Sequence, residues 1–491
     1  MACSIFGVLC RDSTFEIEEH LREIIIRSEE RGRTSFGLMA LSGGQLLSAK
    51  SIGKPTESKI VQYGHPLPLG STVAVGVNRA EPTNETVWDK TLEDVPPFDA
   101  GNWVLAHNGT IFSDRELVDR YQLHPRTTID TAAVVEACNL LMPNGFDIAK
   151  LKYLLQHEVG GGFAFAFMHR NEPYKLILAC NFKPLYLQFA HGEQAIYFAS
   201  LPHHLQPDRD PLTTDPVQQV EPYSLVVVDY SGDTPTFEYH SLRAEKTTKR
   251  RALVVCSGGL DSVTVASYCQ TVLGYDVDLL HFKYHCLAED QEVLAVRNVA
   301  KALGCGVRFV ETDLWENIGH SRLLQGGEEV SHVGDGIEGT ERTTEYVPCR
   351  NTIMLTIAAG IAEVNGYDYV ALGGNLEESG TYPDNEQSLI FKLNEVLPYA
   401  LNLNSQVQFI LPVGNLMKSE IVALAIDVNA PLQHTWSCYH TGEKHCGVCG
   451  PCRMRRVAFK MIGLVDPVFE HEIGEPFWKG CVPYLERNIA V

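Results

Sequence analysis

Three groups of residues in this 491-residue chain have the types and spacing to do chemistry. The first is Ser257-Gly258-Gly259-Leu260-Asp261-Ser262, placed between the apolar run Leu253-Val254-Val255-Cys256 and a helical pattern that starts at Val263. A strand that breaks into glycines and opens a helix presents backbone N–H groups to an anion. The two glycines let the backbone approach a phosphate without Cβ atoms in the way. Ser257 and Ser262 add hydroxyl donors, and Asp261 could orient a metal ion or an amide. The Gly-Lys-Ser/Thr ending of a Walker loop is absent. The bland alternative is an ordinary turn between strand and helix. The second group is Cys438, Cys446, Cys449 and Cys452, spaced C-x7-C-x2-C-x2-C with glycines between the last three. Four thiolates close a tetrahedral zinc site with no open position, which makes the role structural; an iron–sulfur cluster is the runner-up. The third is Cys3, a thiol just ahead of the apolar Ile5-Phe6-Gly7-Val8.

The elements that must position these groups differ between the two halves. After the glycine turn, strand and helix signals alternate: 277–282, a helix over 289–303, 307–312, a helix near 351–365, then 367–372 running into Gly373-Gly374-Asn375. Alternation with short loops predicts a parallel sheet with helices on both faces, and ligands in such sheets sit beyond the strand C-termini. Pro348 keeps Val347 extended, so Arg350 and Asn351 stand at a helix start, where they could face a nucleotide or a planar substrate. A helix cap is the alternative for Asn351, and Cys349 reads as a small packed residue. In the polar stretch 377–385, Tyr382 and Asp384 suit a purine-like ring, one by stacking and one as an acceptor; an exposed turn would explain them equally. Lys418, in the helix start Lys418-Ser419-Glu420-Ile421, could add positive charge near a nucleotide or be a solvated helix lysine. Earlier in the chain, a strand from Val73 runs out through Asn78-Arg79, another from Trp103 enters Asn108-Gly109, and Thr128-Ile129-Asp130-Thr131 opens a helix with the aspartate at its cap. Prolines over 202–222 and an aperiodic polar run over 241–251 put the domain boundary near 243–250.

The totals narrow the function classes. The length suits two to four domains. Net charge is −21, and the one basic run is Lys249-Arg250-Arg251 with Lys246. A small-molecule or protein substrate fits that balance better than a long nucleic acid. No stretch is apolar enough to span a membrane and no secretory signal is visible, so the expectation is a cytoplasmic protein whose 14 cysteines are reduced.

Read in order, the N-terminal motifs resemble the class II glutamine amidotransferase domain of the N-terminal-nucleophile (Ntn) hydrolases, over residues 1–243. That resemblance implies an αββα sandwich in which Cys3 attacks the glutamine amide. Asn108 and the Gly109 N–H would hold the oxyanion, Arg79 the substrate carboxylate, and Asp130 its α-amino group. Ala2 stands where the family has the nucleophile directly after the initiator Met, so glutaminase activity is left open.

Ser257–Ser262 resembles the pyrophosphate loop (PP-loop) of enzymes that cleave ATP between its α and β phosphates. Together with 347–351, 379–384, 418–421, Thr435-Trp436-Ser437-Cys438-Tyr439 and the cysteines, it resembles the QueC type of 7-cyano-7-deazaguanine synthase. The likeness assigns residues 250–491 to a PP-loop, Rossmann-like α/β domain with a zinc loop at 438–452. It implies a ligase that adenylates 7-carboxy-7-deazaguanine and transfers it to an amine, with ATP, Mg²⁺ and structural Zn²⁺. It implies ATP contacts from Ser257, Gly258, Gly259, Leu260, Asp261 and Ser262, and substrate contacts from Arg350, Asn351, Ser379, Tyr382 and Asp384. Asp261 and Lys418 would act in catalysis. Lys283-Tyr284-His285-Cys286 and Asn385 depart from the family pattern, which leaves the final acceptor open: ammonia from glutamine, the terminus of a partner protein as in QueC-like antiphage defence enzymes, or a nitrile-bearing base as in archaeosine makers. A homodimer is expected.

Overall fold

The computed structural model describes residues 3–80, 90–205, 214–243, 248–318, 321, 323–324, 346–379, 383–402 and 405–469. The chain divides into two compact units, Met1–Glu245 and Lys246–Val491. No helix among the described residues is long and apolar enough to cross a membrane.

The first unit is built on two antiparallel sheets. One orders its strands Gln218–Gln219, Tyr186–Ala190, Ala195–Ala199, Ser4–Cys10, Ser71–Arg79, Ser35–Ser42, Gln45–Ile52. The other runs Thr236–Ser241, Ser224–Asp229, Lys175–Cys180, Gly161–His169, Trp103–Ile111, Phe98–Ala100. Side chains alternate across a strand, and both faces of the central strands are apolar. Ile5 and Leu9 therefore meet Val104, Ala164 and Val226 between the sheets. Phe6 and Val8 face outward onto Ile17, Leu21 and Ile24, which recur on one face of the helix Phe15–Arg27, itself capped by the Thr14 side chain on Ile17 N–H. On the far side, Phe163, Phe165 and Phe167 pack against Val134, Val135 and Cys138 of the helix Asp130–Leu141 and Leu151 and Leu154 of Ile148–His157. The result is the expected αββα layering.

The second unit is a five-stranded parallel sheet ordered Val307–Glu311, Asp276–Lys283, Arg251–Val255, Tyr369–Leu372, Gln408–Ile410. Numbered along the chain that order is 3-2-1-4-5, so the winding direction reverses between Arg251–Val255 and Tyr369–Leu372. A crevice opens at such a switch point. Helices Leu260–Thr271, Glu289–Leu303, Lys418–Asp427 and Gly450–Met461 cover one face through Val263, Val296, Ile421 and Phe459. Arg350–Asn365 and Gln387–Ala400 cover the other through Leu355, Ala358 and Ile390.

Two local expectations need correction. Cys349 is not packed: it is exposed and holds φ 53° in the left-handed region, where the chain turns into the helix Arg350–Asn365. Asp130 is not the cap but the first helical residue, behind Ile129.

Candidate functional site

In the first unit, Arg79 and Asp130 lie close enough to Cys3 to act on its charge. The thiol donates to the Ala80 carbonyl at 3.6 Å, and the Cys3 carbonyl accepts from Arg31 Nε at 3.2 Å. Burial pushes the thiol above its ordinary pKa; the Ala80 bond, Arg79 and Arg31 pull against that, and Asp130 adds to it. Arg79 Nη1 reaches the Asp94 carbonyl at 3.4 Å. Asp130 accepts from Ile111 N–H and Thr131 N–H, each at 2.6 Å. Asn108 is fully buried; its amide donates to Ser200 Oγ at 3.4 Å while its Oδ1 has no partner among the described residues. Gly109 holds φ 153°, and a Cβ there would lie 1.8 Å from the Gly162 carbonyl oxygen, so only glycine fits. Two basic residues not foreseen from the sequence, Arg31 and Lys183, also act on the thiol, and each has its pKa lowered, chiefly by burial.

In the second unit, a cavity of about 220 Å³ lies at the switch point, lined by both glycine turns. Gly258 takes φ 81°, and Gly259 N–H is met by Ser257 Oγ at 3.3 Å. Ser262 Oγ, one turn into the helix, stands 3.4 Å from Ser257 Oγ. Asp261 is tied down from two later elements: Lys418 Nζ at 2.5 Å and Asn375 Nδ2 at 3.1 Å both bond its Oδ2. Lys418 also reaches Glu378 Oε1 at 3.1 Å. Its side chain is only 9% exposed, so it is not the solvated helix lysine. Burial alone would depress Lys418, but Asp261 and Glu378 outweigh it and hold the ammonium charged. Asp261 Oδ1 is buried and has no hydrogen-bond partner among the described residues. An orphaned carboxylate oxygen on a cavity wall has the donor chemistry a divalent cation needs.

The remaining predicted residues separate. Asn351 faces Asn385 Oδ1 at 2.6 Å and the Asp384 carbonyl at 3.3 Å, while Asp384 Oδ2 accepts from Asn351 N–H at 3.2 Å. Asp384 thus serves as an acceptor at the start of the helix Arg350–Asn365. Arg350 lines the cavity with its guanidinium 3.5 Å from the Tyr284 hydroxyl. Ser379 ends the short helix Leu376–Ser379, and Tyr382 lies outside the described residues. Glu292 also lines the cavity, a carboxyl that no sequence signal singled out because it sits in the first turn of the helix Glu289–Leu303 beside Glu289 and Asp290, where acidic residues are ordinary.

Cys438, Cys446, Cys449 and Cys452 converge, with Cys449 Sγ 3.9 Å from Cys438 Sγ and Cys446 Sγ 4.0 Å from Cys452 Sγ. Cys438 Sγ accepts N–H groups of His440 and Cys446, and Cys446 Sγ those of Val448 and Cys449. Four sulfurs at this spacing, two of them drawing backbone N–H groups, fit a tetrahedral Zn²⁺.

Residues 251–463 match the family described as "Queuosine biosynthesis protein QueC", and residues 86–207 a "Glutamine amidotransferase domain". The chain is 42% identical over 471 residues to the 7-cyano-7-deazaguanine synthase of Saccharolobus solfataricus, across 95% of this chain and 99% of that protein. It belongs to the 7-cyano-7-deazaguanine synthase family. A second family member, 7-cyano-7-deazaguanine synthase 2 of Sulfurisphaera tokodaii, is 41% identical over 469 residues and again covers 95% of this chain. The Methanothrix thermoacetophila synthase is 37% identical over 228 residues, which is 99% of its own length but 45% of this chain. A synthase of this family can therefore be complete at less than half the present length.

Proposed function

We propose that the second unit adenylates 7-carboxy-7-deazaguanine with ATP, and that the first unit hydrolyses glutamine to supply the ammonia that displaces AMP. The observation carrying this reading is the glycine turn at the switch point, with the charged pair Lys418–Asp261 beside it and an acceptor on Asp261 left over. N–H groups of the turn and helix start would hold the leaving pyrophosphate, which is stabilisation by donors already in place. Lys418 would offset the charge that develops as the substrate carboxylate attacks the α-phosphorus and pyrophosphate departs with the bonding pair. Asp261 Oδ1 would help hold Mg²⁺, whose chemistry is to screen the phosphate oxygens. Attack of ammonia on the acyl carbon then releases AMP and leaves an amide. Carrying the amide on to a nitrile removes an oxygen, which a second ATP would take away as AMP.

In the first unit the same reading gives Cys3 the nucleophilic role, with Asn108 Nδ2 and Gly109 N–H at the oxyanion and Arg79 and Asp130 on the two ends of glutamine. The raised thiol pKa means that attack needs a base to take its proton. The test is mass analysis of products from ATP, 7-carboxy-7-deazaguanine and either glutamine or ammonia. AMP and pyrophosphate should appear with a product lighter than the acid, by exchange of a hydroxyl for an amino group in the amide and by the further loss of the elements of water in the nitrile. Cys3→Ala should abolish the use of glutamine and keep that of ammonia. Absence of AMP under both conditions would sink the reading.

A further inference from the structure

The helix Leu260–Thr271 has no cap of its own, since its N-cap residue is Gly259. The first N–H groups of a helix lack intrahelical partners. Here Leu260 N–H is met by Ser437 Oγ at 3.4 Å, from a residue 177 positions later. The same oxygen accepts from Arg455 Nη1 at 3.1 Å. Ser437 N–H donates to His445 Nε2 at 3.0 Å, and Trp436 N–H to the Gly258 carbonyl at 2.8 Å. This segment is therefore stitched to the glycine turn by backbone and side chain together.

Arg455 is the anchor behind it. The side chain is 0% exposed, its Nε and Nη2 take the two oxygens of Asp466 at 2.7 and 2.9 Å, and Nη1 also reaches Thr435 Oγ1 at 2.7 Å. A hydroxyl has two lone pairs and one proton. Leu260 N–H and Arg455 occupy both lone pairs of Ser437, so its proton is left over, and it donates to no group among the described residues. Ser437 lines the cavity with Ser257, Gly259 and Asp261. A hydroxyl proton beside a helix N-terminus, where N–H groups and the helix dipole favour negative charge, is matched by an anionic oxygen.

We infer that Ser437 donates its hydroxyl proton to a β- or γ-phosphate oxygen of ATP, and that Arg455 is the positioning residue that fixes the hydroxyl for that bond. The inference rests on the reading that the glycine turn binds ATP, and it adds a donor from the cysteine-bearing segment to that site. Ser437 then takes part in holding pyrophosphate as it leaves, while Arg455, at the same cavity wall with its side chain held by Asp466 and Thr435, acts through the Ser437 hydroxyl.

Titration of the full chain with ATP, pyrophosphate and AMP separately decides the matter. Ser437→Ala should weaken ATP and pyrophosphate about ten- to a hundredfold, the range for a hydrogen bond to a charged group, and leave AMP unchanged. Arg455→Lys, which keeps the charge but not the fork, should weaken ATP in the same direction. The double variant should be no worse than Ser437→Ala alone, because the two act through one bond. Thermal melts check folding, and should Arg455→Lys unfold, the Ser437→Ala pattern decides alone. ATP affinity within twofold of the parent in Ser437→Ala, or an equal loss for AMP, overturns the inference and leaves the wider reading standing. A parent chain that binds neither ATP nor pyrophosphate overturns both.

Discussion

Glu292 sits in the cavity wall with its carboxyl pushed up to about 7 by burial, which the Arg350 charge and the Cys286 bond only partly reverse. In the unfolded chain a glutamate titrates near ~4.3. The folded state thus holds an extra proton between those two values, and stability falls as pH rises through that window. Glu292→Gln removes the titration. Its stability should change less than the parent's between about pH 4.3 and 7, and above pH 7 it should exceed the parent by up to about 3 kcal/mol. Thermal unfolding from pH 4 to 8 reads this out; parallel curves for the two proteins would mean the carboxyl is not buried as described. The residues legible in the sequence, Asp261 and Lys418 among them, stood in recognisable local patterns. Glu292, Arg31, Lys183 and Arg455 did not, because a charged residue within a helix or loop has the same local signature whether it faces water or a cavity. Asp384 has a partner that no local pattern announced: its Oδ2 accepts from Asn351 N–H, 33 positions away.

At the scale of elements, the site depends on how closely the strand Tyr369–Leu372 approaches the start of the helix Leu260–Thr271. A Cβ at Gly373 would lie 2.7 Å from Ser262 N and 2.9 Å from Ser262 Cα. Backbone atoms cannot give way as a flexible side chain can. Gly373→Ala should cost about 1–3 kcal/mol through overpacking and push the helix start off the glycine turn, so AMP formation should fall along with the urea midpoint. Gly360 is the control: among the described residues nothing lies within 4 Å of its Cβ position in the middle of a helix. Gly360→Ala should be neutral or stabilising by up to about 1 kcal/mol. Equal behaviour of the two variants would count against the close approach. Element types were legible because the apolar periods differ between strand and helix, and because the glycine pairs interrupt them.

For the whole molecule, two compact units and a family member complete at 45% of this length carry a separable expectation. The piece Lys246–Val491 should fold alone and, if the reading of the second unit holds, form AMP with ammonia but not with glutamine. Circular dichroism and product analysis check this; a piece that stays unfolded would show that the second unit needs the first for its stability. The net charge of −21 acts at this scale too, since it disfavours a long nucleic acid as the acceptor.

By itself the chain's order of residues determined the layered fold classes, the glycine turn, the cysteine quartet and the family, because turn chemistry, apolar period and ligand spacing are local properties. Which side chains meet was decided only by the tertiary structure. Lys418 reaches Asp261 across 157 positions and Ser437 reaches Leu260 across 177, through a sheet wound 3-2-1-4-5 that gathers distant strand ends at one crevice. Burial follows from that winding, and with it the charge on Lys418, the proton on Glu292 and the unspent hydroxyl of Ser437.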